Sequence, residues 1–168
     1  GEGWWRNEGR ADDPFVWAVG SASDLSLPVV EPRDLVLFLD LRPFTYPAAP
    51  PQGVSVELDG RPIHGFELEP GVRATVEVPL PGNHLRAGAN ALPLGWSWSR
   101  EPRQVSESRD ARNLAAALHG ARLCDPSLGP CDAAPSSPSS TIRVGRWPNQ
   151  RGWAAAARTW EPALPWLT

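Results

Sequence analysis

The stretch Val72-Arg73-Ala74-Thr75-Val76-Glu77-Val78-Pro79-Leu80 places an apolar residue at every second position. Successive side chains of a β-strand point to opposite faces, so this spacing predicts a strand with one buried and one solvated face. The same spacing recurs upstream, at Leu35, Leu37, Leu39 and Leu41 and at Val54, Val56 and Leu58. Several such strands without long helices between them favour an antiparallel sandwich or barrel over an enzyme of the βαβ kind.

Eight strands follow from this pattern, and their spacing fits an all-β fold, an antiparallel two-sheet jelly-roll sandwich. Asp59-Gly60 predicts a tight hairpin, because a primed turn needs positive φ. The segment 113–123 is ambiguous, since its alanines favour a helix while its place after a loop favours a closing strand. The strands are expected near 14–19, 24–30, 34–43, 53–59, 62–68, 72–80, 90–98 and 114–123. The expected core contains Leu35, Leu37, Leu39, Leu41, Val54, Val56, Leu58, Val76 and Val78.

Composition limits the class of partner. The chain has 168 residues, about the size of one domain, with 20 prolines and 15 glycines that punctuate turns. Its net charge of −3 gives no global attraction to nucleic acid. No apolar run approaches the roughly 20 residues of a spanning helix, so no transmembrane segment is expected. The sequence leaves the localisation unknown. If the parent protein is exported, we expect the chain in the cell envelope or the extracellular space.

We divide the chain into a β-sandwich domain, 1–124, and an irregular tail, 125–168. The tail contains a Pro/Ser-rich linker at 133–140, whose residues bury too little apolar surface to offset chain entropy. It continues into a Trp-rich segment, where 153–160 is compatible with a two-turn helix that docks onto a partner or a membrane interface. The alternatives are that this segment packs on the sandwich or stays disordered.

Two cysteines lie seven positions apart, Cys124 and Cys131. They predict either a small disulfide loop, if the compartment is oxidising, or two free thiols. A zinc site that adds His119 to the two cysteines lacks a fourth ligand.

Several phrases along the first part of the chain together resemble a known family. In order, they are Gly3-Trp4-Trp5, Phe15-Val16-Trp17, Arg42-Pro43-Phe44, Pro51-Gln52-Gly53-Val54-Ser55-Val56-Glu57-Leu58-Asp59-Gly60, Leu85-Arg86-Ala87-Gly88-Ala89-Asn90 and Ser108-Arg109-Asp110-Ala111-Arg112-Asn113-Leu114. They are similar to the accessory β-sandwich domain found in bacterial proteins of surface-polysaccharide metabolism, beside sulfatase, glycosyltransferase or methyltransferase domains. More distantly, they resemble galactose-binding-like jelly rolls. The resemblance spans about 3–124 and implies a non-catalytic module that binds carbohydrate or supports a neighbouring domain.

Sugar binding needs aromatic faces for the C–H surface of the ring and planar polar groups for its hydroxyls. The chain has nine tryptophans. Trp4 and Trp5 are expected as a surface platform or a strand-end cap, and Trp17 is expected in the core. Arg42 and Arg112 either clamp a ligand or form ion pairs with Asp40 and Asp110. The candidate ligand-binding residues are Trp4, Trp5, Arg42, Trp96, Trp98 and Arg112, although the last two tryptophans also fit a core face.

Three functions stay open at this point: a carbohydrate-binding-like accessory module of a larger glycan-related protein, a structural sandwich packed on a neighbouring domain, and a jelly-roll glycan-processing enzyme. The enzyme would use paired carboxylates such as Glu67 and Glu69. The sequence indicates no catalytic residue and no cofactor, and it leaves a structural calcium ion open. Asp12, Asp13 and Asp24 are the candidate calcium ligands.

Overall fold

The computed structural model of the chain describes residues 3–131 and a two-residue strand at 143–144. The described part is built from β-strands joined by turns, with three short 3-10 turns at 82–84, 102–104 and 126–128. The strands are β1 (Trp4–Arg10), β2 (Asp13–Val19), β3 (Ala22–Val29), β4 (Leu35–Pro43), β5 (Gln52–Leu58), β6 (Arg61–Leu68), β7 (Ala74–Leu80), β8 (Gly88–Trp96), β9 (Leu114–Cys124) and β10 (Arg143–Val144).

The strands form two five-stranded sheets. Sheet I has the order β1-β2-β9-β4-β7, and sheet II has the order β10-β3-β8-β5-β6. Every pairing between neighbouring strands is antiparallel. The predicted all-β, antiparallel, two-sheet sandwich is therefore confirmed. Of the tail beyond residue 131, the described part is β10, which pairs with β3; the linker at 133–140 and the helix considered at 153–160 lie outside the described residues.

All eight predicted strands are present, with ends within two residues of those expected. The ambiguous segment 113–123 is the strand β9, and it lies in the middle of sheet I between β2 and β4. The hairpin at Asp59-Gly60 is also present, with φ of 51° and 72°, the positive values that a primed turn requires.

The core lies between the sheets and is made by the alternate residues that the period-two pattern singles out. Leu37, Leu39 and Leu41 of sheet I face Leu92 and Leu94 of sheet II across it, and all five are fully buried. Of the predicted core set, eight residues are buried and Val76 packs against the core from its edge. A fully buried side chain of this kind contributes on the order of 1.5–3 kcal/mol to folding.

The strand β1 was not predicted, and it changes the role of Trp4. Trp4 pairs with Ala18 of β2, and its ring lies in the core, edge-to-face with Trp96 at 6.5 Å between centroids. Its indole N–H donates to the carbonyl oxygen of Asp24 at 2.8 Å. The expectation that Trp4 is a surface platform is wrong, because Trp4 is buried and only 8% of its surface is exposed.

The two cysteines form a disulfide that closes the end of β9 onto the segment that follows it. The Cα atoms of Cys124 and Cys131 are 6.0 Å apart. Within the loop, Asp125 accepts from the backbone N–H of Ser127 at 2.9 Å and pairs with Arg33 at 3.0 Å. The alternatives of free thiols and of a zinc site are wrong, because each sulfur is bonded to the other.

A matched pair of valines tests the position of the core. Val56→Ala removes a side chain that is 0% exposed, and we expect it to lower the free energy of unfolding by about 2–3 kcal/mol through lost burial and a cavity. Val30→Ala makes the same change at a side chain that is 95% exposed and should cost less than about 0.5 kcal/mol. Urea unfolding followed by far-UV circular dichroism measures both. Equal losses at the two positions would contradict the assigned core.

Candidate functional site

Five aromatic rings form a continuous series that begins on the outer face of sheet I and continues over the segments that follow β4 and β8. We call this set, Phe15, Trp17, Phe44, Tyr46 and Trp98, the aromatic strip. Successive ring centroids along it are 5.5, 6.1, 6.1 and 5.9 Å apart. All five rings are half-buried, so each keeps part of its surface in contact with solvent. Such spacing is within the range of favourable aromatic pairs, so the rings support one another.

Strand alternation places the first two rings of the strip outside. Val16 packs against the core and Ala18 is fully buried, so Phe15 and Trp17 project from the opposite face of β2. The interpretation of Trp17 as a core residue is therefore wrong. It rested on the apolar neighbours at alternate positions, and those neighbours share the outer face with Trp17. Trp17 lies opposite Ala117 of β9, whose small side chain is 3% exposed.

The other end of the strip comes from segments that follow strands β4 and β8. Phe44 comes directly after β4, and its backbone N–H donates to the carbonyl oxygen of Ala115 at 2.9 Å. Trp98 lies beyond the end of β8, and its indole N–H donates to the carbonyl oxygen of Pro51 at 3.0 Å. The side chain of the fully buried Gln52 donates to the carbonyl oxygen of Trp98 at 2.9 Å. These bonds fix the strip on the sandwich.

Trp96 and Trp98 do not share a face, contrary to the sequence interpretation. The strand β8 ends at Trp96, so the alternation that would align the two rings stops there. Trp96 is 3% exposed, and its indole N–H donates to the hydroxyl of Ser23 at 3.0 Å inside the core. Trp96 and Trp4 therefore offer no ring face to a ligand, while Trp98 does.

Trp5 stays at the surface, 45% exposed, and Arg112 lies over its ring with 5.1 Å from the guanidinium carbon to the centroid. The guanidinium of Arg112 donates to Asp110 and to Glu8, with closest distances of 2.6 Å to each. The predicted ion pair of Arg112 with Asp110 is confirmed, and the hydrogen bonds from Arg112 hold the pKa of Asp110 below its usual range. Arg112 braces Trp5 rather than presenting free donors.

A polar cluster adjoins the Phe15 end of the strip. Arg73 holds the carboxylate of Asp40 with two bonds of 2.8 and 2.6 Å, and it donates to Asp13 at 2.8 Å. The hydrogen bond from Arg73, together with that from His119, lowers the pKa of Asp13. The ring of His119 lies 5.3 Å from that of Phe15 and its Nδ1 is 3.0 Å from Asp13. Within residues 3–131, its Nε2 is buried without a hydrogen-bond partner.

Arg42 is exposed on the outer face of β4. The expected ion pair with Asp40 is absent from the described residues, because Asp40 is taken by Arg73 from the neighbouring sheet edge. The sequence suggested Arg42 as the partner of Asp40 because it is close along the chain, whereas the fold pairs Asp40 with Arg73, 33 positions away.

A second concave surface lies at the far end of sheet II. It is a groove of about 390 Å³ between the β5–β6 turn and the start of β8, lined in part by Glu57, His84 and Arg86. Partial burial raises the pKa of the Glu57 carboxyl above its usual range. Asn90, also in this groove, exchanges hydrogen bonds of 2.8 and 2.9 Å with the backbone of Arg86. Asn90 is therefore a turn residue whose side chain bonds the nearby backbone.

The calcium proposal finds no converging ligands in the part of the chain that the structure describes. No group of three or more His, Cys, Asp or Glu side chains gathers there as a metal site. Asp13 belongs to sheet I and is engaged by Arg73, while Asp24 belongs to β3 of sheet II.

Comparisons with known proteins give distant likenesses. No protein-family model matches the chain, and no curated protein matches it. One similar solved structure is a family 35 carbohydrate binding module from an environmental isolate, with 16% identity, a TM-score of 0.47 and coverage of 87% of this chain and 93% of that one. Another is the salicylyl-acyltransferase SsfX3 from a tetracycline biosynthetic pathway, with 18% identity, a TM-score of 0.35 and coverage of 74% of this chain and 38% of that one. A functional proposal therefore rests on the residues of this chain.

Among the described residues, no helix is long and apolar enough to cross a bilayer.

Replacing Glu57 by Gln tests the electrostatics of the groove. Burial raises the pKa of Glu57 in the folded chain above its value in the unfolded chain. The folded state is therefore destabilised as the pH rises from about 4, where the unfolded chain begins to lose this proton. We therefore expect Glu57→Gln to raise the urea midpoint at neutral pH and to leave it unchanged near pH 3, where both side chains are neutral. Glu67→Gln, at an exposed position of β6, is the control. We expect it to leave the urea midpoint at neutral pH unchanged. A lower midpoint for Glu57→Gln at neutral pH would contradict the assignment.

Proposed function

We propose that this chain is a non-catalytic carbohydrate-binding module and that the aromatic strip is its binding surface. The observation that carries the proposal is the series of five half-buried rings, each in contact with the next, that begins on the outer face of sheet I. The C–H faces of sugar rings gain from packing on aromatic faces, which are apolar in the middle and carry a negative quadrupole. Three of the four ring contacts are edge-to-face, with interplanar angles of 84°, 76° and 82°, so the rings offer their faces to a glycan at different angles.

The rigidity of the strip supports the same proposal. Phe15 and Trp17 project from a strand inside sheet I, and Trp98 is held by two hydrogen bonds that involve Pro51 and Gln52. Rings that are already ordered lose little conformational freedom when a ligand binds, so more of the contact energy appears as affinity. The phenol of Tyr46, within the strip, supplies a polar group for sugar hydroxyls.

The positions of the candidate acids favour binding over catalysis. Glu67 and Glu69 are both exposed, the first on β6 at the edge of sheet II and the second in the turn that follows. A glycosidase needs two carboxyl groups that flank the scissile bond in a cleft. Glu67 and Glu69 lie two positions apart on one exposed edge segment, so they do not face each other across a cleft.

We further propose that the module is an accessory part of a larger bacterial protein of polysaccharide metabolism, as the resemblance of its sequence phrases implies. The strands β2 to β9 are arranged in the nested order of a jelly roll, with β2-β9-β4-β7 in one sheet and β3-β8-β5-β6 in the other. This order supports the resemblance to the jelly-roll domains. Trp5 lies on β1, the strand next to β2, which carries Trp17, and in this proposal it extends the binding surface at the edge of sheet I.

Truncation of one strip ring tests the proposal. We expect Phe44→Ala to weaken binding to a recognised polysaccharide about tenfold or more, measured by isothermal titration against a panel of neutral and acidic polysaccharides. Phe66→Ala is the matched control, since Phe66 is a half-buried phenylalanine of sheet II that makes ring contact with His64. It should bind as the parent chain does.

The melting temperature of each variant separates lost binding from lost folding, and Tyr46→Ala supplies a second strip variant if Phe44→Ala melts early. Equal weakening by Phe44→Ala and Phe66→Ala would contradict the strip as the binding surface. The absence of heat with every polysaccharide would contradict the proposed function and favour the strip as a contact with a neighbouring domain.

A further inference from the structure

Arg42 shares one transverse row of sheet I with Trp17. Ala117 of β9 pairs with Trp17 on one side and with Arg42 on the other. Side chains in one row of a sheet point to the same face, so Trp17 and Arg42 stand on either side of the Ala117 methyl group. The two outer strands of this row are about 10 Å apart, twice the strand spacing. The row therefore sets an indole and a guanidinium on neighbouring positions of the outer face, with the buried Ala117 between their strands.

The charges on this face are paired in a way that leaves Arg42 available. Asp40, which lies two positions before Arg42 on β4, is bound by two nitrogens of Arg73. The third nitrogen of Arg73 goes to Asp13, and Asp13 also contacts His119. Both carboxylates of the polar cluster thus have cationic or imidazole partners. Arg42 makes no ion pair within residues 3–131, and its side chain is exposed.

Arg112 shows what a structural arginine looks like in the same molecule. It also lies beside a tryptophan, but its nitrogens are used by Glu8 and Asp110 at distances down to 2.6 Å. Its donors are occupied before any ligand arrives. Of the two arginines that the sequence singled out, Arg42 is the one whose planar fork of donors faces solvent beside the strip. A guanidinium in that position matches a carboxylate or a sulfate with two parallel hydrogen bonds.

We propose that the glycan bound by the strip is anionic and that Arg42 pairs with its carboxylate or sulfate group while a sugar ring packs on Trp17. This inference rests on the proposed carbohydrate function and adds the chemical class of the ligand. A neutral glycan would leave the guanidinium solvated and gain only from ring packing. An anionic one gains a charge-assisted bidentate pair that is sensitive to salt.

The test compares three related polymers by isothermal titration: polygalacturonate, a sulfated galactan and an unsubstituted galactan. We expect the parent chain to bind at least one anionic polymer more tightly than the neutral one, with an affinity that falls as sodium chloride is added. Arg42→Gln should weaken that anionic binding about tenfold and leave binding to the neutral galactan unchanged. The preference between carboxylate and sulfate identifies the substituent.

Arg61→Gln is the matched control, because it removes the same charge from an exposed arginine at the start of β6 in sheet II. It should leave all three affinities unchanged. Equal weakening by Arg42→Gln and Arg61→Gln would mean attraction by overall charge and would overturn the inference. Equal affinity for neutral and anionic polymers, with no effect of Arg42→Gln, would also overturn it and leave the proposed function standing. Failure to bind any of these polymers, or the wider panel, would remove the proposed function itself.

Discussion

The rest of the structure depends on one constraint, that a strand has two faces and only one of them can enter the core. Val16 and Ala18 are held against the core of the sandwich, so Trp17 between them has to face outward. A shift of one residue in β2 would bury Trp17 and expose its neighbours, and would lose the burial of alternate residues along the whole strand. The candidate site is therefore a direct consequence of core packing, although none of its rings belongs to the core.

The outer face of sheet I is organised by long-range pairings. Arg73 joins Asp40 to Asp13, and Arg112 joins Glu8 to Asp110 while it covers one face of Trp5. These ion pairs lie at the surface, where solvent screens them, so each contributes little to stability. Their effect is to engage the carboxylates and guanidinium groups of these residues, so that those groups are not available to a ligand. Of Arg42, Arg73 and Arg112, Arg42 is the one without an ion pair within residues 3–131, and it gives this part of the surface a positive charge.

Period-two spacing was enough to predict eight strands, most of the core and the two-sheet class, because burial of one face is a local property of each strand. The strand β1 escaped this reasoning, since Trp4-Trp5-Arg6-Asn7-Glu8 lacks clean alternation and its pairing with β2 contains an irregularity between Trp4 and Asn7. The strip could not be predicted as a unit. Its rings come from β2, from the segment after β4 and from the segment after β8, so they become neighbours only when the sheets form. The face of Trp17 and the true partner of Asp40 are likewise properties of strand register, which one sequence does not specify.

The central claim is that a glycan lies on the rings of the strip, and nuclear magnetic resonance of the indole N–H groups tests it most directly. In a titration with a glycan that binds, we predict shifts of the Trp17 and Trp98 signals. The Trp4 and Trp96 signals should stay in place, because those indoles donate to Asp24 and Ser23 inside the sandwich. Shifts confined to residues around Glu57 and Arg86, with the Trp17 and Trp98 signals unchanged, would contradict the account and move the site to the groove of sheet II.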